Sequence, residues 1–113
     1  MRRTRSGAAL KRDPSGLFAA LGDSTRLSLV EKLADGESKS ISELTEGTKL
    51  TRQAVTKHLR VLEGAGVVHS VKAGRENHFE FRPQPILELS AYLEKVAGQW
   101  DEALLRLKAF VES

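Results

Sequence analysis

Thr51, Arg52, Gln53, Thr56 and Lys57 bring hydroxyl, guanidinium, amide and ammonium groups together near the middle of the chain, with no carboxylate until Glu63. These groups suit base-edge recognition: an amide can bridge N6 and N7 of adenine, and a guanidinium or ammonium can take guanine or a phosphate oxygen. Their spacing makes them act together. Val55, Leu59 and Leu62 recur at i, i+4 and i+7, so at helical periodicity they form one apolar stripe and the polar residues cover the opposite side. Thr51 fits an N-cap, Leu50 can staple against Val55, and Gly64 and Gly66 end the helix. His58 and Arg60 lie where such a helix would leave a groove, so both are assigned to phosphate contact, with helix packing as the other role open to His58.

After this helix the period changes. From Val67 to Arg82 apolar and polar residues alternate around Ala73-Gly74-Arg75, the pattern of a β-hairpin. A three-residue loop at 73–75 would set Val67 opposite Phe81 and His69 opposite Phe79, with both Phe side chains inward. Lys72 and Arg75 then stand at the tip, where a wing meets DNA backbone or a minor groove.

Other elements must hold these two in place. Leu17, Phe18 and Leu21 form one side of a short helix starting near Pro14. Asp23 caps a second helix, through about Ala34, that turns Leu27, Val30 and Leu33 or Ala34 inward. Glu37 to Ser40 reads as a polar loop. Ser40 and Glu43 fit a capping box, opening a third helix to about Gly47 with Ile41 and Leu44 buried. Thr48-Lys49-Leu50 then forms the turn of a helix-turn-helix. At the far end, from Pro85 or Ile86, Leu89, Leu93, Val96, Trp100, Ala103, Leu107 and Phe110 follow at alternating spacings of four and three, a heptad seam. Ile86, Leu104 and Val111 widen it, and Gly98 marks a kink or a close approach. One small domain has no room to bury both flanks of such a helix. A symmetric dimer is therefore expected, with Leu89, Leu93, Val96, Trp100, Leu107 and Phe110 at the interface and the helix around Phe18 as a further candidate beside them.

Composition sets the outer limits. A length of 113 residues with 40% apolar content suits one domain with a small core. The absence of cysteine excludes disulfides and thiolate metal sites. No apolar run approaches the ~18 residues of a membrane span, and residues 1–12 lack the apolar segment of a secretory signal, so a cytoplasmic protein without membrane partners is expected. The net charge is +3, unevenly spread: residues 1–12 hold five cations and no acid, residues 13–48 three cations and seven acids, and residues 49–82 seven cations and three acids. Positive charge thus gathers on the polar helix, the hairpin and the N-terminal segment, as polyanion binding favours. The chain divides into a flexible basic arm over 1–13, a DNA-binding unit over 14–85, and a terminal helix over 86–113 belonging to the same domain.

The segments Leu17-Phe18-Ala19-Ala20-Leu21-Gly22-Asp23-Ser24-Thr25-Arg26-Leu27, Ile41-Ser42-Glu43-Leu44 and Thr51 to Val68 together resemble the ArsR-type winged helix-turn-helix repressors across residues 14–85. The resemblance implies a mainly α fold with a small β-hairpin wing, dimerisation through terminal helices, and repression by binding a palindromic operator. The final segment, with Trp100, Leu104, Arg106, Leu107 and Phe110, resembles the metal-independent, often autoregulatory branch. Metal-sensing relatives place cysteines near the start of the third helix, where this chain has Ser42, Glu43, Leu44 and Thr45. Zinc and nickel sensors use Asp and His on the final helix, which here has Asp101 and several Glu but no His.

His69 and His78 are set aside as a zinc pair. They would face each other only across a two-residue loop, which would misalign the apolar pairs. No Ser-His-Asp set, HExxH or phosphate-cradling glycine motif is present, so no enzymatic activity, metal or cofactor is expected. The expected partners are double-stranded operator DNA and a second copy of the chain. Two alternatives keep the same fold: a protein-interaction module using the final amphipathic helix, and a repressor answering to a small-molecule or non-cysteine metal effector whose identity the sequence does not contain.

Overall fold

The computed structural model describes residues 13–112. The basic arm expected over 1–13 lies outside them, apart from Asp13. Side-chain caps set where the helices begin. Asp13 accepts from the amide of Ser15 at 3.1 Å and from its hydroxyl at 2.7 Å, opening α1 (Pro14–Leu21) with a proline in its first turn. Asp23 accepts from the amide of Arg26 at 3.0 Å and opens α2 (Ser24–Leu33). The expected capping box is complete at α3 (Ile41–Thr45). Ser40 Oγ accepts from the amide of Glu43 at 3.1 Å, and Glu43 Oε1 accepts from the amide of Ser40 at 2.8 Å.

Between α2 and α3 the structure departs from the expected loop. Lys39–Ser40 forms β1, which pairs antiparallel with β3 (Glu76–Phe81), while β3 pairs with β2 (Val68–Ala73), giving a sheet ordered β1-β3-β2. Two residues of Lys-Ser carry no alternation to announce a strand, and only the free edge of β3 recruits them. The hairpin register also differs from the expected one. Val68 lies opposite Phe81, Ser70 opposite Phe79 and Ala73 opposite Glu76, leaving a two-residue loop of Gly74 and Arg75. Gly74 takes φ +65°, the left-handed start that two-residue hairpin loops require.

The cause of the shift lies upstream, at the end of α4 (Arg52–Gly64). Gly66, at φ +81°, donates to Glu63 O, and Val67 donates to Leu62 O, the paired bonds of a Schellman cap. Val67 and Leu62 are both fully buried, which supplies the apolar contact that accompanies such a cap. Val67 therefore closes the helix, and the alternation of β2 starts one residue later. Phe79 and Phe81 still face inward as expected, but across from Ser70 and Val68. The two-residue loop does not bring the histidines together either: His69 faces Glu80 and His78 faces Val71.

The core gathers Leu17 and Ala20 of α1, Leu29 and Leu33 of α2, Leu44 of α3, Val55, Leu59 and Leu62 of α4, then Val67, Val68, Phe79 and Leu89. Helix α2 offers apolar residues at 27, 29, 30 and 33, so two inward stripes were open to it. The neighbouring α4 and β3 select Leu29 and Leu33, and Leu27 is left exposed, contrary to expectation. In α1, Ala20 takes the inward place expected of Phe18, which is exposed. Helix α5 (Pro83–Glu112) begins earlier than expected and runs 30 residues, about 45 Å, straight through Gly98. Pro83 and Pro85 fit its first turn because amides there have no helical partner.

Candidate nucleic-acid interface

Helix α4 is built to show one side and hide the other. Val55, Leu59 and Leu62 have no exposed surface, and burying each contributes about 1.5–3 kcal/mol. This packing fixes the rotation of the helix about its axis, and so the direction of its polar residues. Thr51 accepts from the amide of Ala54 at 3.0 Å as N-cap, which leaves its hydroxyl proton available to a ligand. Arg52, Gln53 and Lys57 are exposed and make no side-chain hydrogen bond among the described residues. Thr56 is half-buried and donates its hydroxyl to Arg52 O at 2.7 Å, so toward a ligand it can only accept. The five expected base-reading residues therefore share the N-terminal half of α4, with four fully presented and one partly committed to its own helix.

The two residues assigned to phosphate contact are placed differently. His58 turns toward the start of α2, where its Nδ1 accepts from Arg26 Nη1 at 3.1 Å and lies 3.8 Å from Asp23 Oδ2. The half-buried imidazole is thus engaged by α2 within the protomer. Arg60 pairs with Glu63 at 2.7 Å, and its guanidinium lies 5.6 Å from the centre of the Phe79 ring. Glu63 also accepts from Ser70 Oγ at 2.9 Å, so α4 and β2 are stitched together behind the polar face. The hydrogen bond from Arg60, followed by that from Ser70, holds the Glu63 carboxyl below its usual range.

The hairpin extends from this contact. Lys72, two residues along β2 from Ser70, lies on the face that packs on α4, and Arg75 occupies the loop; both are exposed. Two residues outside the sequence-derived set organise the interface. Lys32 donates to Leu44 O and Glu46 O, each at 3.2 Å, capping the end of α3 and fixing the turn that leads into α4. Arg26 donates to Ala19 O and Ala20 O while reaching His58. A lysine in the last turn of α2 and an arginine three residues after a cap were the available signals, and neither indicates which distant carbonyl it will meet.

Along α5, Leu89 belongs to the protomer's own core at 5% exposure, alongside half-buried Ile86 and Tyr92. It is therefore not available to an interface as the seam pattern suggested. Farther along, the other seam residues are open: Leu93, Trp100 at 65% exposure, Leu107 and Phe110 at 79%, with Val96 half-buried. Leu104, Leu105 and Val111 are exposed beside them.

Comparison with known proteins agrees with this geometry. A family model described as a helix-turn-helix domain matches residues 21–71. The chain is 38% identical over 79 residues to the uncharacterized HTH-type transcriptional regulator YuzN of Bacillus subtilis (strain 168), covering 65% of this chain and 86% of that one. It is 31% identical over 102 residues to the HTH-type transcriptional regulator Rv2034 of Mycobacterium tuberculosis, covering 90% and 92%. The solved structure of an ArsR-like transcriptional regulator from Rhodococcus sp. RHA1 superposes with a TM-score of 0.76 at 34% identity, covering 86% of this chain and 91% of that one. The chain belongs to the ArsR-type winged helix-turn-helix regulators.

In this ArsR-type regulator, α3 and α4 are the helix-turn-helix and the β2–β3 hairpin is the wing. Among the described residues, no three His, Cys, Asp or Glu side chains are grouped so as to hold a metal ion. Across the hairpin, His69 Nε2 instead meets Glu80 at 3.3 Å, while His78 Nε2 lies 3.5 Å from Glu76 of its own strand. No described helix is long and apolar enough to cross a membrane.

Proposed function

We propose that this regulator is a cytoplasmic, non-enzymatic transcriptional repressor that acts as a homodimer on an inverted-repeat operator. The observation that carries the reading is the presented face of Thr51, Arg52, Gln53 and Lys57, all exposed and oriented by a fully buried stripe. Gln53 pairs an adenine, and Arg52 or Lys57 takes a guanine or phosphate. Thr51 donates to the backbone, Thr56 accepts at its edge, and Lys72 and Arg75 extend phosphate contact through the wing. Repression follows from occupying the promoter.

The exposed Leu93, Trp100, Leu107 and Phe110, with half-buried Val96 among them, support pairing with a second copy, since apolar area of this extent on a helix is seldom left in water. Two recognition helices then stand about 34 to 36 Å apart, one turn of DNA. Residues 14–85 form the DNA-binding unit and residues 86–113 the dimerising segment, with the basic segment 1–13 adding phosphate contacts. Selection from a random duplex library is expected to return an inverted repeat. If about eight phosphates are neutralised per dimer, log K should fall with log salt at a slope of about −7. A slope near zero, or a library that returns no common sequence, defeats this proposal and favours a protein-interaction module built on α5.

A further inference from the structure

We propose that Glu63 is a positioning residue for DNA binding: it fixes the angle between the recognition helix and the wing, so that Lys72 and Arg75 reach phosphates in register with the base-reading side of α4. The proposal rests on the operator reading above and gives a role to the residue that ends the carboxylate-free run of α4. Glu63 Oε1 accepts from Arg60 Nη1 at 2.7 Å and Oε2 accepts from Ser70 Oγ at 2.9 Å, so one carboxylate reaches from the helix to β2. The Arg60 guanidinium in turn lies 5.6 Å from the centre of the Phe79 ring on β3. Ser70 and Phe79 are cross-strand partners. The Arg60–Glu63 pair therefore grips both strands of the hairpin at one level.

That level is where the hairpin leaves the body of the protein. On its other edge β3 is held by β1, with Lys39 opposite Phe79 and Ser40 opposite His78. Beyond this point, among the described residues, no hydrogen bond or ion pair joins residues 71–77 to another element, and Lys72 to Asn77 are all exposed. Buried Val68 and Phe79 anchor the base, but apolar contact is non-directional. The bonds of Glu63 are directional, and the one from Arg60 is charge-assisted, so they set the angle. Ala73, at the end of β2, stands about 10 Å along the strand from Ser70. A small change of angle at Ser70 is magnified there.

Charge alone predicts the opposite effect. A carboxylate beside the polar side of α4 repels DNA, so its removal by itself should strengthen binding to any duplex. The test measures affinity of the full chain for a selected operator. Glu63→Ala should bind about five- to tenfold more weakly. Its hydroxyl-radical footprint should lose the same backbone positions as the double variant Lys72→Ala with Arg75→Ala, and adding Glu63→Ala to that double variant should cost nothing further. Glu63→Gln, whose Oε1 accepts from Arg60 while its Nε2 donates to Ser70 Oγ, should equal or exceed wild-type affinity. Ser70→Ala, a milder change that serves if Glu63→Ala does not fold, should lose about two- to threefold with the same change in footprint.

Glu63→Ala binding as tightly as wild type or tighter, an equal loss in Glu63→Gln, full additivity with the wing variant, or an unchanged footprint in Ser70→Ala overturns the proposal and leaves operator binding standing. Residual dipolar couplings supply a test without DNA. The orientation of residues 68–81 relative to α4 should change in Glu63→Ala and Ser70→Ala and not in Glu63→Gln; an orientation that stays fixed in all three overturns the proposal. A wild-type protein that prefers no sequence defeats the operator reading instead, while the couplings still decide whether Glu63 holds the wing.

Discussion

Helices α4 and α5 both carry apolar residues at helical spacing, yet α4 hides Val55, Leu59 and Leu62 completely while α5, beyond Tyr92, leaves Leu93, Trp100, Leu107 and Phe110 in solvent. The difference is one of neighbours. Around α4 stand α2, α3 and the hairpin, enough to enclose a stripe on a 13-residue helix. Helix α5 meets the body of the protomer through its first turns, against α1 and the core at Leu89, and then runs past it. Orientation of the polar side of α4 is thus decided within one chain, whereas the apolar stripe of α5 beyond Tyr92 is left exposed by it.

Substitutions at equivalent stripe positions should break the two helices in different ways. Leu59→Ala removes a fully buried side chain and should cost about 2 to 5 kcal/mol of folding stability, read from denaturant unfolding. An unchanged midpoint would mean that α4 is not held by this stripe. Trp100→Ala should leave protomer folding nearly untouched but weaken self-association by about 2 kcal/mol or more, measured by sedimentation across a dilution series. An unchanged sedimentation profile at low concentration would remove α5 from the interface. Gln53→Ala, on the presented side of α4, should cost about 1 to 3 kcal/mol on the operator and little on random DNA. Equal losses on both would reassign Gln53 to the backbone.

The smallest expected effect concerns acid. Glu43 is held below the usual glutamate value of 4.5 chiefly by the backbone hydrogen bond from Ser40, and Asp23 below 3.8 chiefly by that from Arg26. Because these folded-state values are depressed, the stabilisation is complete above the unfolded-state values and is lost as pH falls through the folded ones. Thermal midpoints should therefore decline below about pH 4.5, and Glu43→Gln should show a shallower decline than wild type. A variant that follows the wild-type curve would show that the capping box contributes nothing to the acid response.

Much of the fold was legible because local signals agreed. The caps at Asp23, Ser40 and Thr51, the 3.6-residue stripe of α4 and the alternation through Phe79 and Phe81 each have a short-range physical cause, and each appears in the structure. Where two local solutions were nearly equal, the reading failed. Leu27 and Leu29 both offered a stripe, and Val67 fitted both a strand and a Schellman cap, so packing against α4 and the cap geometry decided. Strand β1 had no local signal and exists because β3 had an unpaired edge.

The site divides in the same manner. By itself the sequence determined which chemical groups line the exposed side of α4, because helical periodicity fixes which residues share a side. It determined too that the hairpin would carry Lys72 and Arg75 near its tip. Only the tertiary structure decided that His58 meets Arg26, that Arg60 lies beside the Phe79 ring, that Arg26 and Lys32 bind carbonyls on other helices, and that Leu89 belongs to the core rather than to the seam. Those outcomes depend on which elements meet in space, and helical periodicity carries no information about that.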